Sequence, residues 1–223
     1  MHAVLLDFNG TMFFDSSLHL EAWSKIYREL YPEDSTPMDT AIFCGPCNDA
    51  ILKNMAPWLT AEEREQYSER KEALYRQACL NDPTNLHLVA GAEAFFEMLQ
   101  DAGIPFILAS ASIKSNIDFF FEVFSLGKWF RREDVVYDDG TYPDKGAMHL
   151  EAARRMGVTL GDCLLLEDSP TSIALARKNG AGRIIAVGRT APASELLRLA
   201  DHWIDDLTGF DPSWLLCKIS VNK

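Results

Sequence analysis

The chain is short of several things, and each shortage removes a class of function. Lys and Arg number 21 against 33 Asp and Glu, a formal net charge of −12 over 223 residues. That balance argues against a general nucleic-acid or anionic-membrane surface. A phosphate-bearing ligand would need local positive charge from a metal, a few lysines or helix N-termini. Cysteines are few and odd in number, at 44, 47, 79, 163 and 217. Their irregular spacing fits reduced thiols in a cytoplasm and not a disulfide framework. No apolar run approaches the ~20 residues of a membrane span. The opening "MHAVLLDFNG" lacks a basic flank and is broken by Asp7, so it reads as a first strand and not as a signal peptide. Internal repeats and low-complexity stretches are also missing.

What is present is a core-forming composition, with 48% hydrophobic residues, and an alternation of strand and helix. Apolar runs at 3–8, 105–111, 133–138, 162–168, 183–188 and 202–206 read as strands. Helical patterns fill 91–103, 114–124, 147–156, 170–179 and 192–199 between them. Continuous apolar strands with amphipathic helices between them predict an α/β fold, a Rossmann-like parallel sheet covered on both faces. Residues 16–87 break the rhythm. "SSLHLEAWSKIYREL" and "TAEEREQYSERKEALYRQA" are helical, the second led by Thr60 as N-cap with Glu62 and Glu63 behind it. The expectation is a core of 1–15 and 88–223 with a helical cap at 16–87, and "PTNLHLVAG" as the return linker.

Ligands of such sheets bind outside the carboxyl ends of the strands. The polar residues there are Asp7 and Asn9, Ser110 and Ser112, and Glu167 and Asp168. Three carboxylates from two strand ends repel one another unless a hard cation sits among them, and Mg²⁺ takes oxygen ligands and bridges to phosphate. Ser110, Lys145 and the N–H groups of the "NGT" turn would complete a phosphate cradle. Singly, each feature has an ordinary explanation. Asp before Gly-Thr is commonly a turn, and "EDS" a helix cap.

In order and together, these segments resemble the haloacid dehalogenase superfamily, in the branch of the β-phosphoglucomutase-like and phosphoglycolate-phosphatase-like proteins. "LLDFNGT" (5–11) resembles that family's Asp-x-Asp-Gly-Thr motif and "ILASAS" (107–112) its strand ending in Ser. "LLLEDSPTSIALARKNGAGRIIAVG" (164–188) is similar to its acidic motif with the following helix and strand. "SSLHLEAW" (16–23) looks like the start of its cap. The resemblance implies a Mg²⁺-dependent phosphatase of a small phosphorylated metabolite. Asp7 would be the nucleophile and would form an aspartyl-phosphate. Gly10, Thr11, Ser110, Ala111 and Lys145 would hold phosphate. The metal would be held by Asp7, Glu167, Asp168 and the backbone carbonyl of Asn9. His19, Cys47, Asn48 and Lys71 fall where related caps meet substrate, although His19 and Lys71 equally suit a solvated helix face. Nothing in the sequence sets the oligomeric state.

Two positions depart from the family pattern. The family places Pro after its lysine, whereas this chain reads "DDGTYPDKGAMHLEAA" (138–153), about two residues short and with Gly146 after Lys145. The second departure is Asn9, where the family has the Asp that protonates the leaving oxygen and then deprotonates water. An amide carries no such proton, and general acid–base catalysis is worth ~10²–10⁴-fold. The expectation is therefore a slowed phosphatase. The alternative is a catalytically silent protein that binds or senses a phosphometabolite. Asn-Gly is also a labile dipeptide, and deamidation at Asn9 would restore an Asp.

Two further classes are weaker. A dehalogenase needs no metal, and the Glu167–Asp168 pair counts against it. "FCGPC" (43–47) contains the Cys-Gly-Pro-Cys of thioredoxin-like oxidoreductases, but no strand precedes it in a βαβ unit, and it reads as a turn between cap helices. The missing arginine in "GPCNDA" argues against sugar-bisphosphate mutase chemistry.

Overall fold

The computed structural model describes residues 1–33 and 47–216. The chain divides into two compact units, Met1–Phe14 with His87–Lys223, and Asp15–Leu86.

The first unit is built on six parallel strands in the order β3-β2-β1-β4-β5-β6. These are β1 (Ala3–Leu6), β2 (Phe106–Ile113), β3 (Val136–Asp138), β4 (Cys163–Glu167), β5 (Arg183–Val187) and β6 (His202–Ile204). The strand order reverses beside β1, the position at which doubly wound sheets open a crevice. Leu6 pairs with Leu108 on one side and Leu166 on the other, so Asp7, Ser110 and Glu167 all leave the sheet at one edge. The predicted strand at 133–138 is shorter than expected, because Arg132–Asp134 forms a 3₁₀ turn held by exposed charges.

Side chains alternate between the two faces of the sheet, as a period of two requires. Ala3, Leu5, Leu165 and Ile184 pack with Met148, Ala152, Ile173 and Ala176 in one buried cluster. The last four come from α6 (Lys145–Arg155) and α7 (Pro170–Lys178). On the other face, Phe106 stacks on Phe96 of α4 (Ala92–Asp101), and Phe8 stacks at 4.5 Å on Phe120 of α5 (Lys114–Val123). The short α8 (Ala193–Leu196) completes the unit.

The second unit is helical among its described residues: α1 (Ser16–Leu30), α2 (Asn48–Met55) and α3 (Ala61–Asn81). Trp23 and Ile26 of α1 pack on Ile51, Leu52 and Met55 of α2. Thr60 caps α3 in the expected way, its hydroxyl accepting from Glu63 N while Glu63 reaches back to Thr60 N at 2.8 Å. α2 was not foreseen, because its eight residues follow the Gly-Pro segment that reads as a turn.

Candidate active site

Asp7, Glu167 and Asp168 are buried side by side where β1 and β4 end. Each offers one oxygen to a group in which all ligand atoms lie within 4.8 Å of one another. Burial pushes the Glu167 carboxyl up to about 7, with the Asp7 charge adding to it. Burial pushes Asp168 well above the carboxylate range, with Glu167 and Asp7 behind it. Carboxyls held back from ionising by burial and by one another are the electrostatic signature of a site suited to a cation. The all-oxygen donor set points to a hard one.

Lys145 is the first residue of α6 and contacts Asp7 Oδ1, with its ammonium 3.9 Å from Glu167 Oε2. Burial alone would lower its pKa, but Asp7 and Glu167 outweigh that and raise it. It is therefore a buried cation of the cluster. Asp144 N-caps α6, accepting from Ala147 N at 2.9 Å, which fixes the turn that presents Lys145. The other Asp7 oxygen accepts from Thr11 Oγ1 at 3.1 Å, and the same hydroxyl lies 3.4 Å from Asp168 Oδ1. Thr190 Oγ1 donates to Asp168 Oδ2. Sequence reasoning missed Thr190, since it lies on a loop after β5, outside every motif. Ser169 caps α7 and leaves Asp168 to the cluster.

Gly10 makes this closeness possible. Its φ is +77°, and a Cβ there would stand 2.2 Å from Asp168 Oδ2. Only glycine combines that backbone conformation with that approach. Asn9 is half-buried, and its Oδ1 accepts from Ser112 Oγ at 2.6 Å and from Ser110 Oγ at 3.3 Å. Ser110 is buried and Ala111, next to it, is exposed. β2 shifts register against β3 between Ser110 and Ile113.

A family model for haloacid dehalogenase-like hydrolases matches residues 1–180. The chain belongs to the haloacid dehalogenase-like hydrolases. A solved relative is the family IA, variant 3 hydrolase of Entamoeba histolytica, 27% identical with a TM-score of 0.87, covering 96% of this chain and 97% of that one. The β-phosphoglucomutase of Clostridium difficile has the same fold at 20% identity, TM-score 0.77, covering 96% and 95%. The plasmid-borne protein CbbY of Cupriavidus necator is 23% identical over 197 residues, 83% of this chain and 78% of that protein.

The departure from this family at 146 has a packing reason. A Cβ at Gly146 would lie 2.7 Å from Asn179 Nδ2 and 3.2 Å from Leu175 Cβ, because α6 and the end of α7 approach closely there. A proline would meet the same neighbours.

In the helical unit, Lys71 is buried with its ammonium 2.8 Å from Glu72 Oε1 and 2.7 Å from His19 Nδ1, over the Trp23 and Tyr75 rings. His19 Nε2 lies 3.2 Å from Asp15 Oδ2, which accepts from the Tyr75 hydroxyl at 2.5 Å. Asn48 Nδ2 donates to Glu72 Oε1 at 2.7 Å and to Ser68 Oγ at 3.0 Å. His19, Asn48 and Lys71 thus join one network and do not present separate side chains to solvent. Cys47 is exposed at the start of α2. Its sequence partner Cys44 lies outside the described residues, as does Cys217. Cys79 and Cys163 are buried free thiols, each pushed by burial up to about 12.

Proposed function

We propose that the chain is a Mg²⁺-dependent phosphatase of a small phosphorylated metabolite, slowed by the amide at position 9. The observation that carries this reading is the buried Asp7, held between Thr11 and Lys145 beside the Glu167–Asp168 pair. Membership of the family and a fold neighbour crystallised with phosphate, CbbY of Rhodobacter sphaeroides (TM-score 0.75, 16% identical), are consistent with it. The same bacterial protein, as a mutant, has been crystallised with xylulose-(1,5)bisphosphate.

Asp7, Glu167, Asp168 and the Asn9 carbonyl would hold the cation. The donor set fits it, since three buried carboxylates converge with too little positive charge among them. When bound, Mg²⁺ neutralises carboxylate charge and polarises the phosphoryl oxygens. The chain's own residues do the rest. An Asp7 carboxylate oxygen forms a bond to phosphorus as the bond to the leaving oxygen breaks, giving an aspartyl-phosphate. Water then adds to that phosphorus, and the Asp7 oxygen departs as carboxylate with release of phosphate. Lys145, the Ser110 hydroxyl and the Ala111 N–H would stabilise the transferring charge, whereas the Gly10 and Thr11 N–H groups, expected to join them, donate to Phe13 O and Phe8 O within the loop. Asn9 can orient the leaving oxygen by hydrogen bonding but cannot supply a proton to it. Leaving groups that depart without help should react fastest, and water attack without a base should be slow. The helical unit would act as the cap that excludes water and selects the leaving group. His19, Asn48 and Lys71 would contribute to substrate selection through their shared network, and Cys47, exposed at the start of α2, beside it. Free thiols and the lack of a membrane-crossing helix among the described residues suit a cytoplasmic setting.

The test is Mg²⁺-dependent phosphate release from aryl, acyl and sugar phosphates by the native chain, Asn9→Asp and Asp7→Ala. Native turnover that Asp7→Ala abolishes supports the reading. Turnover confined to Asn9→Asp favours the second reading, a phosphometabolite-binding or regulatory protein, which the amide at position 9 motivates.

A further inference from the structure

Behind the carboxylate cluster lies a histidine that the proposed reaction does not use. His149 is completely buried, four residues after Lys145 on α6 and therefore on the same helix face. Its Nε2 is 3.6 Å from Glu167 Oε2. Neither ring nitrogen has a hydrogen-bond partner among the described residues, and neither does Glu167 Oε2. Buried polar atoms are rarely left in that condition, because an unpaired one has lost its water without gaining a partner. Here two of them, His149 Nε2 and Glu167 Oε2, lie across from one another.

The two oxygens of Glu167 differ sharply. Oε1 is tied to the backbone, accepting from Asp168 N at 3.2 Å and Ser169 N at 3.3 Å. Oε2 has Lys145 at 3.9 Å and His149 at 3.6 Å, both just beyond hydrogen-bond reach. A shift of about 0.5 Å would bring Nε2 within donor distance of Oε2. Lys145 itself is drawn to Asp7, so it is poorly placed to serve Oε2.

We propose that His149 is a positioning residue for Glu167: its Nε2–H donates to Oε2 and, with the backbone bonds to Oε1, fixes the carboxylate for cation binding. A carboxylate fixed at both oxygens presents its remaining lone pairs in one orientation, to a cation or to a cation-bound water. Outer partners of this kind typically change metal affinity 10–100-fold when removed. The imidazole faces Glu167 from α6 while the ligand carboxylates come from β1 and β4. The packing of α6 on the sheet therefore sets the geometry of the cluster.

This inference rests on the reading of the cluster as a divalent-cation site, and the test separates the two. Mg²⁺ affinity is measured by calorimetry on the full chain as native protein, His149→Phe, His149→Gln and Asp168→Asn. Thermal stability is recorded in EDTA alongside. Gln carries an amide nitrogen near the place of Nε2, whereas Phe fills the volume with no donor. The expected result is Mg²⁺ binding by the native chain, weakening of about 10–100-fold in His149→Phe, and recovery of most of it in His149→Gln. Should His149→Phe not fold, His149→Asn replaces it, since its amide nitrogen lies near Nδ1 and falls short of Glu167; the same weakening is expected. Equal Mg²⁺ affinity in the native, donor-less and Gln proteins overturns the inference, whatever the thermal stabilities, and leaves the cation site standing. Absence of Mg²⁺ binding by the native chain, matched by Asp168→Asn, overturns the cation reading and this inference with it.

Discussion

Ser112 Oγ donates to Asn9 Oδ1 at 2.6 Å, and Ser110 Oγ lies 3.3 Å from the same oxygen. The amide at position 9 is therefore oriented by hydroxyls from the end of β2. A carboxylate there would accept the same two donors with no change of shape. Asn9→Asp is expected to fold as the native chain does and to raise turnover by roughly 10²–10⁴-fold. The gain should be larger for alkyl phosphates than for aryl or acyl phosphates, which need no proton on the leaving oxygen. Steady-state kinetics on matched alkyl and aryl substrates check this through kcat/KM, which reports the leaving-group step; an equal gain in kcat/KM on both would contradict a general-acid role for position 9.

The Asn9–Gly10 dipeptide, labile as a sequence, is restrained in the folded loop. Deamidation requires the Gly10 nitrogen to attack the Asn9 side-chain carbon, but that N–H donates to Phe13 O at 2.7 Å. The Asn9 side-chain oxygen Oδ1 is meanwhile held by two serines. Folded protein aged at neutral pH is expected to keep its encoded mass, with deamidation at Asn9 appearing only after unfolding. Intact-mass and peptide mass spectrometry distinguish the two. Deamidation at equal rates in both states would show that the loop gives no protection.

Gly10→Ala tests how tightly the first and fourth strands are joined at their ends. The new Cβ meets Asp168 Oδ2 at 2.2 Å, and φ is +77°. The backbone conformation alone costs about 1–2 kcal/mol for a non-glycine residue. The expected outcome is a folded but less stable protein, by circular dichroism and thermal melting, with Asp168 displaced and Mg²⁺ affinity strongly reduced.

The buried carboxyls make metal-free stability depend on pH. Glu167 is raised to about 7 in the folded chain, above its ordinary 4.5. A raised acid keeps its proton folded after the unfolded chain has lost it, so stability falls as pH rises from about 4.5 through about 7. His149 acts in the opposite direction at lower pH. Burial and Lys145 lower it to about 3 from 6.5, so its stability contribution is lost as pH falls below 6.5. Above pH 6.5 the His149 effect is complete, and Asp168, raised by burial and by Glu167 and Asp7, acts in the same direction as Glu167. Thermal melts in EDTA are expected to show lower stability at pH 8.5 than at pH 6.5, by about 1 kcal/mol or more, Glu167 alone contributing about 1 kcal/mol. Mg²⁺ should stabilise more at the higher pH. A flat metal-free profile across that window would contradict the raised carboxyl.

The parts of the site that were legible from sequence are those fixed by strand ends. Asp7, Ser110, Glu167 and Asp168 follow apolar runs, and a parallel sheet brings such ends to one edge whatever its helices do. Other residues were hidden for distinct reasons. Lys145 reads as a phosphate lysine, but its contacts with Asp7 and Glu167 are not readable, because those partners are remote in sequence. Lys71 sits in the charged run "SERKEAL", which suits a substrate contact and a solvated face equally, and only the fold shows Glu72, His19 and two aromatic rings drawing it inside. Thr190 lies outside every motif and His149 in the part of the lysine segment that departs from the family, and only the packing of the β5 loop and of α6 brings them to Asp168 and Glu167. α2 escaped notice because eight residues after a Gly-Pro turn carry too little periodicity to register.

The central claim is that Asp7 takes a phosphoryl group and that Asn9 slows its release. Acid quenching of the native chain soon after mixing with an acyl phosphate and Mg²⁺, followed by peptide mass spectrometry, tests both parts at once. The expected result is a peptide carrying one added phosphoryl group on Asp7, abundant in the native chain, scarce in Asn9→Asp because water removes it faster, and absent in Asp7→Ala. Turnover with no label on Asp7, or label that survives Asp7→Ala, would contradict the account.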